Sequence, residues 1–488
     1  MSALPELDAW IAAQARFAAA QMLQAISATH LVMERPGFGQ RVIPRPGSVL
    51  ASPVPAHYDP DPDYFFHWFR DAAIVIDALR VALAAGYTDG SAVARFREFL
   101  QFSLSLHSLD GREFLAQGNF RAKVQSAFLQ YVRPDAEIAA LSGDAVQGDV
   151  RVNADGTLDF IRWSRPQTDG PALRCLAMLR WWQQFPALRQ DLALSGALSD
   201  VIRTDLAFTL ARVREPCGDI WEEDTGYHYY TQLLQAEALS RGAAWQEASG
   251  DPASAHASRV VGDQTLTLLD DFWAGDGGFY GSRSTTGLVG PSKNPDIAVI
   301  LAVLHAGREG DRHSVLDPKV QATLTALEEL FDAEYAINRE RPPDRGPALG
   351  RYANDQYYGG GAWYLATLAA AEFYFSLAQT LRRGGQMAVV PANARFRLRL
   401  GAGRAAADRE GLPRLAIGRG DAIMRTVQAF TPATGELAEQ FDRTTGAPTS
   451  AKHLSWSYAA FITAAAARAE ALRPMRAAGP GALPGDTA

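Results

Sequence analysis

Residues 219–228 read DIWEEDTGYH, so that Glu222, Glu223 and Asp224 follow Trp221 without a break. A run of acids is, by itself, a solvated turn. A carboxyl group set beside an aromatic ring is also what proton transfer to a substrate uses, provided its surroundings hold the protonation state that the step needs. The run alone does not separate these readings.

Its company does. Four other segments combine aromatic rings with a neighbouring acid and base: PDYFFHWFRDA (62–72), RWSRPQTDGPALR (162–174), GRYANDQYYGGGAWYLATL (350–368) and LAEQFDRTTGAPTSAKHLSWSYAA (437–460). Each stands just before a run expected to be a buried helix. Gathered at one end of a fold, the five would line a funnel with Tyr64, Trp68, Trp163, Trp221, Tyr352, Trp363 and Trp456 among carboxylates and arginines. That is the chemistry a sugar requires. Its C–H faces stack on rings, and its hydroxyls need rigidly held donors and acceptors. A polar partner left unpaired is costly, which turns those contacts into specificity. Any one tryptophan is ordinary core packing; the recurrence in five loops points to a carbohydrate.

The elements that must position these loops are helices. Helical periodicity covers roughly 6–28, 70–85, 91–106, 170–184, 200–214, 228–248, 254–273, 295–306, 315–333, 361–382, 417–429 and 455–471, with few alternating strand patterns and no fixed-period repeat. Residues 363–375 and 456–467 are apolar almost all round, as is 72–84 apart from Asp77 and Arg80. Such helices are buried on every side. The helix near 91–106 has instead one apolar stripe, Val93, Phe96, Leu100 and Leu104. Fully buried helices mixed with one-faced ones predict two concentric rings, an all-α toroid. Residues 134–160 and 384–416 lack helical period and are expected to be loop excursions.

Size and composition set outer bounds. The chain has 488 residues, 47% hydrophobic and 21% charged, which suits one large barrel or two ordinary domains. A net charge of −7 argues against a nucleic-acid surface, which needs a basic patch. Two cysteines, Cys175 and Cys217, build neither a disulfide framework nor a thiolate metal site. No run of eighteen uncharged apolar residues predicts a membrane span. The first residues carry acids and no basic start before an apolar core, so a cytoplasmic location is the default expectation, with no statement on oligomeric state. Asp59, Asp61 and Asp63 alternate but supply too few oxygens for a calcium loop, and the nine histidines show no ligand spacing; no metal or cofactor is expected.

The five motifs, with GDVRVNADGT leading into the second, carry a resemblance: the chain resembles the glucoamylases of glycoside hydrolase family 15, with the motifs in that family's order from about residue 50 to 470. The resemblance implies an (α/α)6 barrel, expected over residues 1–475, and the tail at 476–488, rich in proline, glycine and alanine, is expected to be flexible. It also implies removal of glucose from the non-reducing ends of α-1,4-linked glucans with inversion, with α-1,6 links left open as a second target. Inversion needs two carboxyl groups about 6.5–9.5 Å apart, with room for a water. The resemblance places the acid at Glu222 and the base at Glu439, 217 residues further on. Trp221 and Glu223 are expected to shape the surroundings of Glu222. Arg70 and Asp71 match residues that bind the terminal hydroxyls at the closed end, the less favoured alternative being a local ion pair that caps the helix. Arg351 and Glu223 match contacts at and beyond the cleaved bond. Trp68, Trp163, Trp221, Trp363 and Trp456 match aromatic walls, and Tyr64 a hydroxyl near the developing cation. Ser164, Asp224, Thr225 and His453 depart from the family pattern and are expected on the rim or behind it. Two rival readings stay open: a relative acting on dextran-type α-1,6 chains or trehalose, and a toroid that binds glucan without cleaving it.

Overall fold

The computed structural model describes residues 6–58, 60–275, 277–284, 293–402 and 410–473. Asp59 and the tail at 476–488 lie outside them. Among the described residues run twelve helices of nine residues or more: α1 Leu7–Ala25, α2 Phe69–Ala85, α3 Ser91–Ser105, α4 Asp169–Gln184, α5 Leu192–Arg212, α6 Tyr229–Ala248, α7 Pro252–Leu268, α8 Ala298–Ala306, α9 Pro318–Glu334, α10 Tyr364–Arg382, α11 Gly411–Phe430 and α12 Ser455–Leu472. The even-numbered helices pack in a closed ring, α2 on α4, α6, α8, α10, α12 and back to α2. The odd-numbered ones lie outside it, as α1 on α12, α5 on α4, α7 on α6 and α11 on α10. This is the (α/α)6 barrel, and the strands are two or three residues long, paired in small antiparallel sheets.

The ring is narrow because its helices are lined with alanine. Ala366, Ala370 and Ala371 of α10 meet Ala459 and Ala464 of α12 in the same core, all without exposed surface. Three inner helices, α2, α10 and α12, were legible as apolar on every face. In contrast α6 is inner yet buries Gln232, Gln235 and Glu237, which the apolar criterion passes over. Two of them are satisfied inside, Gln235 donating to the Thr168 hydroxyl at 3.1 Å and Glu237 accepting from Arg241 and Arg308, whereas the Gln232 side-chain oxygen meets no donor among the described residues.

The two rings begin differently. Outer helices α5, α7 and α9 start on Asp191, Asp251 and Asp317, whose carboxylates accept backbone N–H groups of the first turn. None of the six inner helices has such a cap. Their ends are tied instead by the loop of the next inner helix around the ring. Phe69 N–H donates to Val150 O (3.2 Å), Tyr229 N–H to Ser282 O (2.9 Å), Ile297 N–H to Arg351 O (2.9 Å), Tyr364 N–H to Glu439 O (3.2 Å) and Ser455 N–H to Ala51 O (2.8 Å). The remaining pair of neighbouring loops is joined by Gly218 N–H on Pro166 O at 2.8 Å. Six loops are thus stitched into a closed backbone circle at one end of the barrel.

Where the sequence reading missed, the causes are local. The excursions at 134–160 and 384–416 contain the short helices Asp135–Ala139, Asp144–Gln147 and Ala394–Leu400, which are too brief to show a period. Helix α11 begins at Gly411, earlier than 417, because Pro413 sits in the first turn, where its missing N–H has no partner to lose. Helix α5 likewise begins at Leu192 rather than 200, started by the Asp191 cap.

Close approach of two inner helices makes one glycine decisive. A Cβ on Gly170, in the first turn of α4, would stand 2.6 Å from Phe69 Cβ and 3.4 Å from the Arg70 amide nitrogen. Gly170→Ala is expected to cost about 1–3 kcal/mol by overpacking and to lower activity with it by displacing Arg70. Thermal unfolding together with the rate on maltotriose measures both.

Candidate active site

Five of the six loops before the inner helices supply the lining of one cavity of about 240 Å³. It is smaller than the roughly 300–1,000 Å³ usual for small-molecule sites, which suits one sugar ring better than a length of chain. Tyr64, Trp68, Arg70, Asp71, Trp163, Trp221, Glu222, Glu223, Arg351, Trp363, Glu439 and Trp456 all line it. Of the rings expected to line the funnel, Tyr352 is the exception: it stands outside the lining and donates its hydroxyl to Glu223. Ile220, Tyr357 and Leu454 join them.

Glu222 occupies the tip of a tight hairpin whose strands, Cys217–Gly218 and Thr225–Gly226, pair in antiparallel register. Its φ is +66°, the left-handed region that a side chain enters at some cost. Asp219 holds the tip, its Oδ1 accepting the amides of Glu223 (2.7 Å) and Asp224 (2.8 Å). The Glu222 carboxyl is gripped from across the ring. Oε1 accepts from Trp68 Nε1 at 2.9 Å, Arg70 Nη2 at 2.9 Å and Gln167 Nε2 at 3.1 Å, and Oε2 accepts from Trp163 Nε1.

The expectation that Trp221 and Glu223 shape these surroundings is overturned. At the hairpin tip three successive side chains diverge. The Trp221 indole donates to Asp296 at 3.1 Å, and Glu223 turns to Arg351 (2.9 Å), Lys293 (2.7 Å) and the Tyr352 hydroxyl. The alternative reading of Arg70–Asp71 as a local ion pair finds only a long contact. Arg70 Nε lies 3.9 Å from Asp71, while Nη1 donates to Gln167 and Asp169, each at 2.8 Å. Burial pushes the Asp71 carboxyl up to about 7, against the pull of Arg70 and with the push of Glu222.

Glu439 is 3% exposed and is fixed by its backbone, its N–H on Ala451 O (2.8 Å) and its carbonyl under Tyr364 N–H. The Ser450 hydroxyl donates to its Oε2. Burial pushes the carboxyl up to about 7, opposed by the Ser450 hydrogen bond, by Arg351 and by the Tyr64 hydroxyl. Tyr64 feels both Glu439 and Glu222, and its hydroxyl meets that of Tyr357 at 2.7 Å. The two carboxyls therefore line one cavity from different loops, and the hydrogen-bond donors on one are not those on the other.

Arg351 organises the far wall. It forms a two-point pair with Asp355, at 2.7 and 2.6 Å, and its guanidinium lies 5.1–5.3 Å from the ring centres of Trp221, Tyr357 and Trp363. Of the departures, Asp224 pairs with Lys293 (3.0 Å) and Arg283 (3.4 Å), and His453 faces Tyr458 and Glu436 behind the Glu439 loop.

Several working residues escaped the sequence reading. Gln167, Asp169, Tyr357 and Ser450 stand inside the quoted motifs but were not singled out. Lys293 and Asp296 belong to a sixth loop, before α8, whose stretch KNPDI sets no ring beside its acid and base. Six inner helices require six loops, and only five had been found; that count was the available signal. Among the described residues no group of three or more His, Cys, Asp or Glu side chains is placed to hold a metal ion. Nor is any described helix long and apolar enough to cross a membrane.

An aromatic, carboxylate-bearing pocket at the loop end of an (α/α)6 barrel is the build of a glycoside hydrolase. The chain belongs to glycosyl hydrolases family 15, whose pattern matches residues 39–466. It is 27% identical over 457 residues to a glucoamylase of Blastobotrys adeninivorans, covering 87% of this chain and 68% of that one. It is 29% identical over 435 residues to glucoamylase-1 of Schizophyllum commune, covering 87% and 69%. Its fold superposes on the family 15 glucoamylase from Hypocrea jecorina with a TM-score of 0.77 and 26% identity, over 96% of this chain and 73% of that one.

The Ser450 contact carries a signed pH prediction. A base must be ionised to work, and the Ser450 hydroxyl favours the ionised Glu439. Ser450→Ala removes that donor, so the carboxyl rises above its present value and the acid-side limb of kcat/KM moves to higher pH. A hydrogen bond to a charged group is worth about 1.5–3 kcal/mol, so a shift of about one pH unit or more is expected. A pH–rate profile on maltotriose measures it.

Proposed function

We propose that this chain removes single glucose units from the non-reducing ends of α-1,4-linked glucans, with inversion, using Glu222 as the acid and Glu439 as the base. One observation carries the reading: two carboxyls from loops far apart in sequence line the same small cavity, each with its own donors. The terminal ring enters with its free end toward Arg70 and Asp71. Its C–H faces rest on the tryptophan walls, and Arg351 and Glu223 meet the sugars around the bond to be cleaved.

Glu222, protonated, gives its proton to the glycosidic oxygen as the C1–O bond breaks. The four donors from Trp68, Arg70, Gln167 and Trp163 then receive the carboxylate left behind. Glu439 takes a proton from water, and the hydroxide attacks C1 from the face opposite the departing oxygen. The new hydroxyl at C1 is therefore inverted, the α-linkage giving β-glucose. Tyr64, within reach of both carboxyls, faces the ring as positive charge develops. A pocket closed by Arg70 and Asp71 admits chain ends only, which accounts for release of one glucose at a time.

Proton NMR of fresh product from maltotriose is expected to show β-glucose first. Glu222→Gln and Glu439→Gln should each slow release by about 10²–10⁴-fold. Isomaltotriose and trehalose are expected to react more slowly than maltotriose. α-Glucose appearing first, or a faster rate on either of those sugars, rejects this assignment.

A further inference from the structure

Behind the wall that holds Glu222 lies a buried arginine. Arg151 has no exposed surface. Its backbone pairs directly with Trp68 across the short sheet formed by His67–Trp68 and Arg151–Val152. Only one of its side-chain nitrogens has an ordinary partner, Nε donating to Asp159 Oδ2 at 2.8 Å. Nη1 and Nη2 meet no hydrogen-bond acceptor among the described residues. A guanidinium this deeply buried normally uses its whole fork, since each unmade hydrogen bond is a cost.

The faces of three rings take the place of those acceptors. The Arg151 guanidinium carbon stands 3.9 Å from the ring centre of Phe66, 4.0 Å from that of Trp163 and 4.6 Å from that of Trp68. Trp163 and Trp68 meet edge-on, with ring centres 6.1 Å apart. These are the two indoles whose N–H groups grip the two oxygens of Glu222. A cation on the face of an indole is attracted to its π electrons, most strongly when both are out of water. It also draws electron density from the ring, which makes the N–H a better donor. One buried charge thus acts on both sides of the carboxyl without touching it.

We propose that Arg151 is a positioning residue for the hydrolytic step: its guanidinium, packed on Trp68 and Trp163, fixes and polarises the two indole N–H groups that hold Glu222. The inference rests on the reading of Glu222 as the acid. A merely structural Arg151–Asp159 pair would not need its face against those indoles, and Asp159 keeps a second cationic partner, Arg165 at 2.8 Å, when the Arg151 charge is removed. The positioning role makes a different demand. Removing the charge should leave a folded pocket that still binds sugar but turns over slowly.

The test compares Arg151→Met, which keeps bulk and loses charge, with Arg151→Lys, which keeps charge and loses the flat face. Both are measured in the full chain on maltotriose, with circular dichroism to establish folding. Arg151→Met is expected to lower kcat by about 10- to 100-fold with KM held within about threefold. Arg151→Lys should recover most of that loss. In a Trp163→Phe background, where one indole N–H is already gone, each substitution should cost less than in the parent. A folded Arg151→Met with kcat within twofold of the parent overturns the proposal. So does a loss shared by kcat and KM that Arg151→Lys does not relieve. If Arg151→Met fails to fold, the Arg151→Lys and Trp163→Phe pair decides: coupled losses support the inference and additive ones overturn it. Glu222→Gln is the control. Should it leave turnover intact, the acid assignment itself falls; should it abolish turnover while Arg151→Met does not matter, this inference alone falls.

Discussion

The closed circle of backbone hydrogen bonds at the loop end is the constraint on which the site depends. An inner helix in a double ring cannot spend its own cap side chain at an end that must face substrate. The first amides still need acceptors, because an unmade backbone bond in a dry site costs free energy. The next loop around the ring supplies them at five of the six inner helices, and the circle closes through Gly218 and Pro166. Two of the acceptors belong to site residues themselves, Arg351 and Glu439. Positions of groups from opposite sides of the sequence are therefore set by one another, loop by loop.

On that frame the charges divide into two regimes. The acid side is crowded with donors: Arg70, Gln167 and two indoles converge on Glu222, and Asp169 anchors Arg70 in turn. The base side is dry and sparsely contacted, and the Glu439 carboxyl is pushed up to about 7 by its burial. The two carboxyls thus stand in unlike surroundings, one among converging donors and one in a buried wall. Here the difference comes from which loops face each other, not from the residues adjacent in the chain.

That distinction also explains what could be read from the sequence. The helices were legible because a twelve-helix double ring imposes period and burial on long stretches, and most boundaries lay within a few residues. The aromatic loops were legible because stacking on sugar needs the same rings repeatedly. Trp221 and Glu223 were misassigned as the surroundings of Glu222 because neighbours in a run at a hairpin tip point apart. The groups that do hold Glu222 come from far away, Arg70 by 152 positions and Trp163 by 59. Lys293 and Asp296 were invisible for a further reason: they act through charge and hydrogen bonds, and no ring stands beside them in the sequence to mark them.

The acid and the base are also held by different means. Glu439 stands just before the short strand Gln440–Phe441 and is tied at both its amide and its carbonyl, so its position is a property of the backbone circle. Glu222 sits at a turn with a strained φ, and its direction is a property of the side chains that reach it. A backbone-held base tolerates change in its flanking side chains as long as the sheet pairs. A side-chain-held acid does not, because each donor removed leaves the others to pull it off line. The rigid half of the site is thus the half that must orient a water with no covalent tether. The adjustable half faces a proton that moves along the hydrogen bond it is already part of.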